Sequence, residues 1–208
     1  MWRTLLVCLL LTSCAPDRTS LLHPAKLTGQ SPDIYHARFD TTQGSFLIEV
    51  RREWSPLGAD RFYQLVANGF YDGTRFFRTL PKFVVQWGIN PNPQVTKAWK
   101  TGHTINDDRV IQSNQRGLLS FATSGPDTRT TQIYVNMADN KRLDARGFSP
   151  FGKVIAGMEV FNKLFAGYGE GPPRGNGADQ NKIETEGEAY LARKFPNLDK
   201  VIVARIVN

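Results

Sequence analysis

The stretch Arg75–Gly88 reads RFFRTLPKFVVQWG and contains the pattern that decides how we interpret this chain. Apolar residues alternate with a few polar ones, as in a strand that presents its functional side chains on one face. Arg78 stands five residues before Phe83 and eight before Gln86. The stretch therefore predicts strands that present an arginine, an aromatic ring and a glutamine to one site.

A second stretch, Gly117–Asn136, reads GLLSFATSGPDTRTTQIYVN and has the same character. Ala122 and Thr123 precede a glycine-proline turn. Gln132 and Tyr134 are two residues apart, so they lie on one face of a strand.

Together the two stretches resemble the hallmark runs of the cyclophilin family of peptidyl-prolyl cis-trans isomerases. Those runs read roughly F-H-R-x-x-P-x-F-x-x-Q-x-G and L-S-M-A-x-x-G-P-x-T-x-x-S-Q-F-F-I. The resemblance covers about residues 35–165 and the final strand. It implies a mainly β fold of eight antiparallel strands with a helix at each end, and isomerisation of proline-containing polypeptides without a cofactor.

The local patterns predict the same architecture. A helix begins at Ser55, as N-cap, with proline at the first helical position, and ends at Asn68-Gly69. A second helix fits Met158–Phe165. The strands are predicted at Tyr35–Thr41, Ser45–Val50, Arg75–Leu80, Val84–Gly88, Gly117–Ala122, Ile133–Asn136, Phe151–Ile155 and Lys200–Val207. Short strands with turns between them and two helices indicate a closed barrel capped by helices.

The C-terminal part adds to this pattern. A glycine- and proline-rich loop over Gly167–Gly177 is followed by a predicted helix over Lys182–Lys194, before the last strand. This additional helix is not part of the minimal family pattern. The loop is not interpreted as a phosphate loop, because no strand-then-helix context surrounds it.

The first residues predict export. Arg3 and the apolar run Leu5–Leu11 are typical of a signal peptide, and Leu11-Thr12-Ser13-Cys14 resembles a bacterial lipobox in which Cys14 is lipidated. We predict a signal peptide at 1–13, a lipid anchor and tether at 14–33, and an isomerase domain at 34–208. Ala15, rather than aspartate, favours the outer membrane; an ordinary signal peptide is the alternative.

Charge and cysteine content limit the possible partners. The formal net charge is +7, which becomes about +6 without residues 1–13. Because the basic residues are dispersed, we expect no nucleic-acid partner. Cleavage before Cys14 would leave no pair of thiols for a disulfide, since Cys8 is the other cysteine. We expect a monomer on the periplasmic side of the envelope that assists the folding of exported proteins.

The resemblance also assigns the site. Arg78 occupies the position of the catalytic arginine, and Gln86 that of the glutamine that orients it. The resemblance implies that the peptide is bound by Phe83, Val84, Ala122, Thr123, Gln132, Tyr134, Leu143 and Phe148. Thr123 would act through its backbone, so replacement of the usual asparagine need not matter.

Several positions depart from the family pattern. Phe77 replaces a histidine, Trp87 a glycine and Val84 a methionine. Tyr134 replaces a phenylalanine, and Phe148 a histidine at the far rim. Arg142 stands where a rim tryptophan is common, so we expect cyclosporin-type inhibitors to bind weakly.

Other kinds of chemistry have little support in the sequence. His23, His36 and His103 are scattered without metal-ligand spacing, and Ser120 and Ser124 have no suitably placed histidine or acid. Two alternatives to isomerisation stay open. The barrel could bind proline peptides as a chaperone module with little turnover, or it could be an inert envelope scaffold.

Overall fold

The computed structural model describes residues 19–207, and these contain eight strands and five α-helices. The strands are β1 Ile34–Thr41, β2 Gly44–Arg51, β3 Arg78–Thr79, β4 Val84–Trp87, β5 Leu118–Phe121, β6 Ile133–Asn136, β7 Pro150–Ala156 and β8 Val201–Val207. The helices are α1 Pro56–Ala67, α2 Pro93–Lys100, α3 Val160–Lys163, α4 Gln180–Glu186 and α5 Glu188–Lys194. A mainly β fold is thus confirmed.

The eight strands form one antiparallel sheet in the order β3-β4-β6-β5-β7-β2-β1-β8. The hairpin of β1 and β2 shows why the chain folds this way, since alternate residues along both strands are buried. Phe39 and Phe46 face each other across the hairpin, and their rings stack 5.0 Å apart. The buried face of the sheet therefore carries an aromatic core.

Closure of the barrel is not confirmed, because β3 and β8 are edge strands in a sheet that stays open. Between the two edges lie only the isolated bridge Arg75–Lys200 and a few backbone hydrogen bonds, such as Phe76 N to the Asp199 carbonyl. The predicted strand Arg75–Leu80 is correspondingly shorter. Only Arg78–Thr79 pairs with β4, and Pro81, which has no N–H, follows in the turn.

The start of α1 differs from the prediction in its capping group. The Ser55 side chain does not cap the helix and instead donates its hydroxyl to Asp108 at 2.5 Å. The Asp108 carboxylate accepts the backbone N–H groups of Leu57 and Gly58. A carboxylate is a stronger acceptor than a hydroxyl, and its negative charge is stabilised near the positive end of the helix dipole. Asp108 therefore pairs the free N–H groups of the first turn.

The predicted C-terminal helix is interrupted, because α4 and α5 are separate helices that meet at Gly187. This glycine has φ +61°, and a Cβ there would lie 2.2 Å from the Pro91 carbonyl oxygen. The sequence analysis also missed α2, whose Asn92 caps it by accepting from Gln94 N. Helix α2 packs against α4, so the C-terminal helices are held to the body.

Two departures from the family pattern have structural explanations. Phe77 is buried in a second hydrophobic cluster, formed mainly by side chains from α4, α5 and the residues that follow α5. Trp87 is fully buried in the main core, where its ring contacts Phe39, Phe46 and Phe76. Phe77 therefore belongs with the additional helices, and Trp87 fills the core.

Residues 19–33, part of the predicted tether, pack against the domain. Leu21 is buried, and its carbonyl accepts the indole N–H of Trp99 in α2. Ser31 donates to Asp60, which also forms a two-bond ion pair with Arg52. The predicted signal peptide and Cys14 lie outside the described residues. No helix in residues 19–207 has the length and apolar character to cross a bilayer.

Candidate active site

A small hydrophobic cluster lies apart from the main core, on the outer face of β4 and β6. Val84, Tyr134 and Leu143 form its buried floor. Three half-buried residues pack around them: Phe83, Ala122 and Phe148. The Tyr134 and Phe148 rings meet edge-to-face with centroids 5.8 Å apart. This arrangement is an apolar socket with aromatic walls, which we call the socket.

A row of polar side chains lies beside the socket because of the strand register. Arg78 in β3 pairs with Gln86 in β4, and Gln86 in turn pairs with Tyr134 in β6. Arg78 Nη1 donates to Gln86 Oε1 at 3.1 Å, and Gln86 Nε2 donates to Gln132 Oε1 at 2.8 Å. The guanidinium Cζ also lies 5.4 Å from the ring centroid of Phe83. An arginine is thus held at the edge of the socket.

Glu170, in the loop after α3, completes the contacts of this arginine. Its carboxylate accepts Arg78 Nε at 2.7 Å and Nη2 at 2.6 Å, a two-bond fork. The hydrogen bonds and charge of Arg78 lower the pKa of Glu170 below its ordinary value, although burial opposes this. The carboxylate is therefore ionised and the pair is charged at neutral pH.

All ten residues predicted for the site line one cavity of about 580 Å³. The cavity brings together residues from β3, β4 and β6 and from three loops: Arg78, Phe83, Val84, Gln86, Ala122, Thr123, Gln132, Tyr134, Leu143 and Phe148. Ala122 N donates to the Gln132 carbonyl at 2.9 Å, which continues the β5–β6 pairing. The Thr123 hydroxyl bonds within its own turn, to Gly125 and Thr128.

The sequence analysis missed Asn114, which holds the socket together. Its Oδ1 accepts the hydroxyl of Tyr134 at 2.9 Å, so the tyrosine at a phenylalanine position has a buried partner. Burial raises the pKa of Tyr134, and the phenol stays neutral. Asn114 Nδ2 donates to Asp144 and to the Phe148 carbonyl, and thereby fixes the segment that carries Leu143 and Phe148.

Asp144 is a second residue that the sequence analysis missed. Burial raises its pKa, but hydrogen bonds from Ser113 and Asn114 outweigh burial and keep the pKa below its ordinary value. Asn114 lies in a loop and Asp144 in the short 3-10 helix Lys141–Arg146, and neither was singled out by a motif. Glu170 likewise has no signal beyond its place in a glycine-rich loop. Within the described residues, no group of three His, Cys, Asp or Glu side chains could hold a metal ion.

Comparison with known proteins gives one consistent result. The family model for cyclophilin type peptidyl-prolyl cis-trans isomerase matches residues 36–184. A peptidyl-prolyl cis-trans isomerase of Acinetobacter baylyi is 38% identical over 132 residues, which cover 60% of this chain and 68% of the relative. Peptidyl-prolyl cis-trans isomerase A of Dickeya dadantii is 35% identical, with 62% and 70% covered.

A solved structure shares the fold. The crystal structure of a cyclophilin type peptidyl-prolyl cis-trans isomerase from Cryptosporidium parvum superposes with a TM-score of 0.60. The two chains are 22% identical, and the match covers 84% of this chain and 98% of the other.

Proposed function

This chain belongs to the cyclophilin-type peptidyl-prolyl cis-trans isomerase family and has that enzyme activity, and we propose that Arg78 is its catalytic group. In this proposal the socket binds the proline ring of the substrate. The observation that carries the proposal is the fixed guanidinium of Arg78 at the edge of the socket, bonded to Gln86 and Glu170.

The reaction itself sets the chemical requirement. Rotation about the X-Pro bond has a barrier of about 18–20 kcal/mol, because amide resonance must be broken. At the twisted transition state the proline nitrogen becomes pyramidal and regains a lone pair. A donor aimed at this nitrogen binds the twisted state and hardly binds the planar states, so it lowers the barrier without proton transfer.

Arg78 has the properties that this step needs. Its guanidinium stays charged and carries five N–H groups in a rigid plane. Only 12% of its side-chain surface is exposed, so water competes weakly for the donors. Three donors bond to Glu170 and Gln86, which leaves two N–H groups outside these bonds.

The socket and the glutamines supply binding. Burial of the proline ring against Phe83, Leu143 and Phe148 anchors the residue whose amide must twist. Gln86 and Gln132 lie beside the peptide path, and Gln132 is half-buried with its amide directed to Gln86. In this arrangement the ring is held while the preceding carbonyl rotates.

Turnover of an X-Pro peptide tests the proposal. The full chain, purified in mild detergent, should accelerate cis-to-trans conversion, measured with a coupled protease or by NMR exchange. Arg78→Ala should lower the rate about 10²–10³-fold, which corresponds to a loss of about 2.7–4 kcal/mol of transition-state stabilisation. An Arg78→Ala variant with normal turnover would exclude the mechanism. Peptide binding without turnover in the parent chain would favour the chaperone module instead.

We also propose that the enzyme is exported, is anchored in the outer membrane through a lipid on Cys14, and acts as a monomer on exported proteins. The support for export and anchoring is the sequence pattern of the first fifteen residues, in which Ala15 rather than aspartate follows Cys14. A single acyl chain gives only marginal membrane binding, whereas several hold a protein firmly. Mass spectrometry of the mature N-terminus should find a lipidated Cys14, and Cys14→Ser should abolish it. An unmodified N-terminus elsewhere would indicate an ordinary signal peptide.

A further inference from the structure

We infer that Glu170 is a positioning residue for the isomerase reaction, which holds the Arg78 guanidinium in its working orientation from the side opposite Gln86. This inference rests on the proposed role of Arg78. The contact joins residues 92 positions apart in the chain, so it depends on the path of the loop 167–177.

The geometry of the bonds supports positioning. Glu170 takes the Nε and Nη2 edge of the guanidinium, and Gln86 takes Nη1. Two different acceptors on two sides fix both the plane and the rotation of the group. A mobile arginine side chain would lose rotamer entropy when it bonds to the substrate. Because the side chain is already fixed, this entropy cost does not add to the activation free energy.

The loop is built to keep Glu170 in place. Gly177 N donates to the Glu170 carbonyl at 2.8 Å, and a Cβ at Gly175 would lie 2.2 Å from the same oxygen. Gly171 N donates to the carboxylate of Glu170. The chain therefore wraps closely around this one residue, and a side chain at position 175 would push it away.

The C-terminal helices support this loop in turn. The ring of Tyr168 lies 4.9 Å from that of Phe195, which follows α5, and 4.8 Å from that of Phe165. Tyr168 packs on the second hydrophobic cluster, which also buries Phe77 one residue before Arg78. The additional helices therefore hold both the loop and the strand that meet at the Arg78–Glu170 pair.

Kinetics of three variants test the inference. Glu170→Ala removes both bonds, and kcat should fall by about 10-fold to 100-fold while KM stays within about twofold, because positioning acts in the transition state. Glu170→Gln keeps one acceptor oxygen and should recover part of the lost kcat. The matched control for Glu170→Gln is Glu188→Gln, which makes the same change in a similar fork on Arg75 away from the cavity and should leave kcat unchanged.

A second readout does not depend on turnover. In nitrogen-15 NMR spectra of the full chain, the Arg78 Nε–H signal should shift and exchange faster with water in Glu170→Ala, and stay unchanged in Glu188→Gln. Loss of kcat together with this shift supports the inference. A higher kcat in Glu170→Ala would mean that the carboxylate inhibits, and an unchanged Nε–H signal would mean that it does not hold Arg78; either overturns the inference. If the parent has no turnover, the proposed function fails, while the NMR result still decides whether Glu170 orients Arg78.

Discussion

Arg75 and Arg78 are three residues apart, and each forms an ion pair with a glutamate, but the two arginines have different roles. Each forms a two-bond fork with a glutamate, Arg75 with Glu188 of α5 and Arg78 with Glu170. Each is mostly buried, with 10% and 12% of the side chain exposed. The remaining donors distinguish them.

Arg75 directs its Nη1 group to the carbonyls of Pro196 and Leu198. Its guanidinium is thereby occupied by the C-terminal segment and ties this segment to the edge of the sheet. Arg78 gives one bond to Gln86 and lines the cavity beside the socket. An ion pair alone therefore does not identify a site; what matters is whether donors remain beside a cavity that a ligand can enter.

The largest expected effect comes from removing each arginine. Arg78→Ala should lower kcat/KM by about 10²–10³ while the protein stays folded. Arg75→Ala should keep kcat/KM and lower the unfolding free energy by about 1–3 kcal/mol, because it leaves the part-buried Leu198 carbonyl without its donor. Turnover and urea denaturation of both variants measure this. Equal loss of activity in the two would remove the distinction.

A third arginine, Arg142, is the least constrained of the three. It is exposed, and its Cζ lies 4.7 Å from the Phe83 ring centroid, so it covers one wall of the socket. Arg142→Trp would supply a flat apolar wall and an N–H donor. The variant should therefore bind a cyclosporin-type inhibitor about 10-fold to 100-fold more tightly than the parent, a gain of about 1–3 kcal/mol in binding free energy. Inhibitor titration measures this, with Lys141→Trp as the neighbouring control. Equal affinity of parent and Arg142→Trp would contradict the rim interpretation.

A smaller effect is expected from pH. The pKa of Glu170 is lowered in the folded protein, so its contribution to stability is complete above the unfolded pKa and is lost as pH falls through the folded value. Because an ionised Glu170 positions Arg78, turnover should stay level as pH falls through the ordinary glutamate pKa of about 4.3. It should decline several-fold at lower pH, where Glu170 becomes protonated. NMR exchange of a peptide measures turnover without a protease, and circular dichroism reports whether the fold persists.

Glu170→Gln provides the control for this pH dependence. It has no carboxylate to protonate, so its turnover should show no such decline while the protein stays folded. If Glu170→Gln and the parent lost turnover over the same acidic pH range, the decline would come from protonation of another group.

Much of the site could be predicted because its members follow local periodicity. Gln132 and Tyr134 share a strand face by the two-residue repeat, and the strand Ile133–Asn136 was predicted with its observed bounds. Arg78 and Gln86 stand opposite each other in antiparallel strands joined by a short turn. In such segments the spacing along the chain largely determines the distance in space.

Other features depended on the path of the chain between distant segments. Asp108 caps a helix that begins about fifty residues earlier, and Asn114 reaches Tyr134 from a loop. The predicted closed barrel is open because closure depends on how two distant edges meet, and in residues 19–207 one isolated bridge and a few backbone hydrogen bonds join them.

The sequence alone therefore determined the strands, the family and the residues around the socket, because the backbone period and the motif spacing are local properties. Only the tertiary structure decided which arginine partner belongs to the site. Both Glu170 and Glu188 are glutamates close to a glycine in the C-terminal part of the chain, and no local pattern separates them. Their roles differ because the loop 167–177 and α5 pack against different arginines, and that packing is a property of the whole fold.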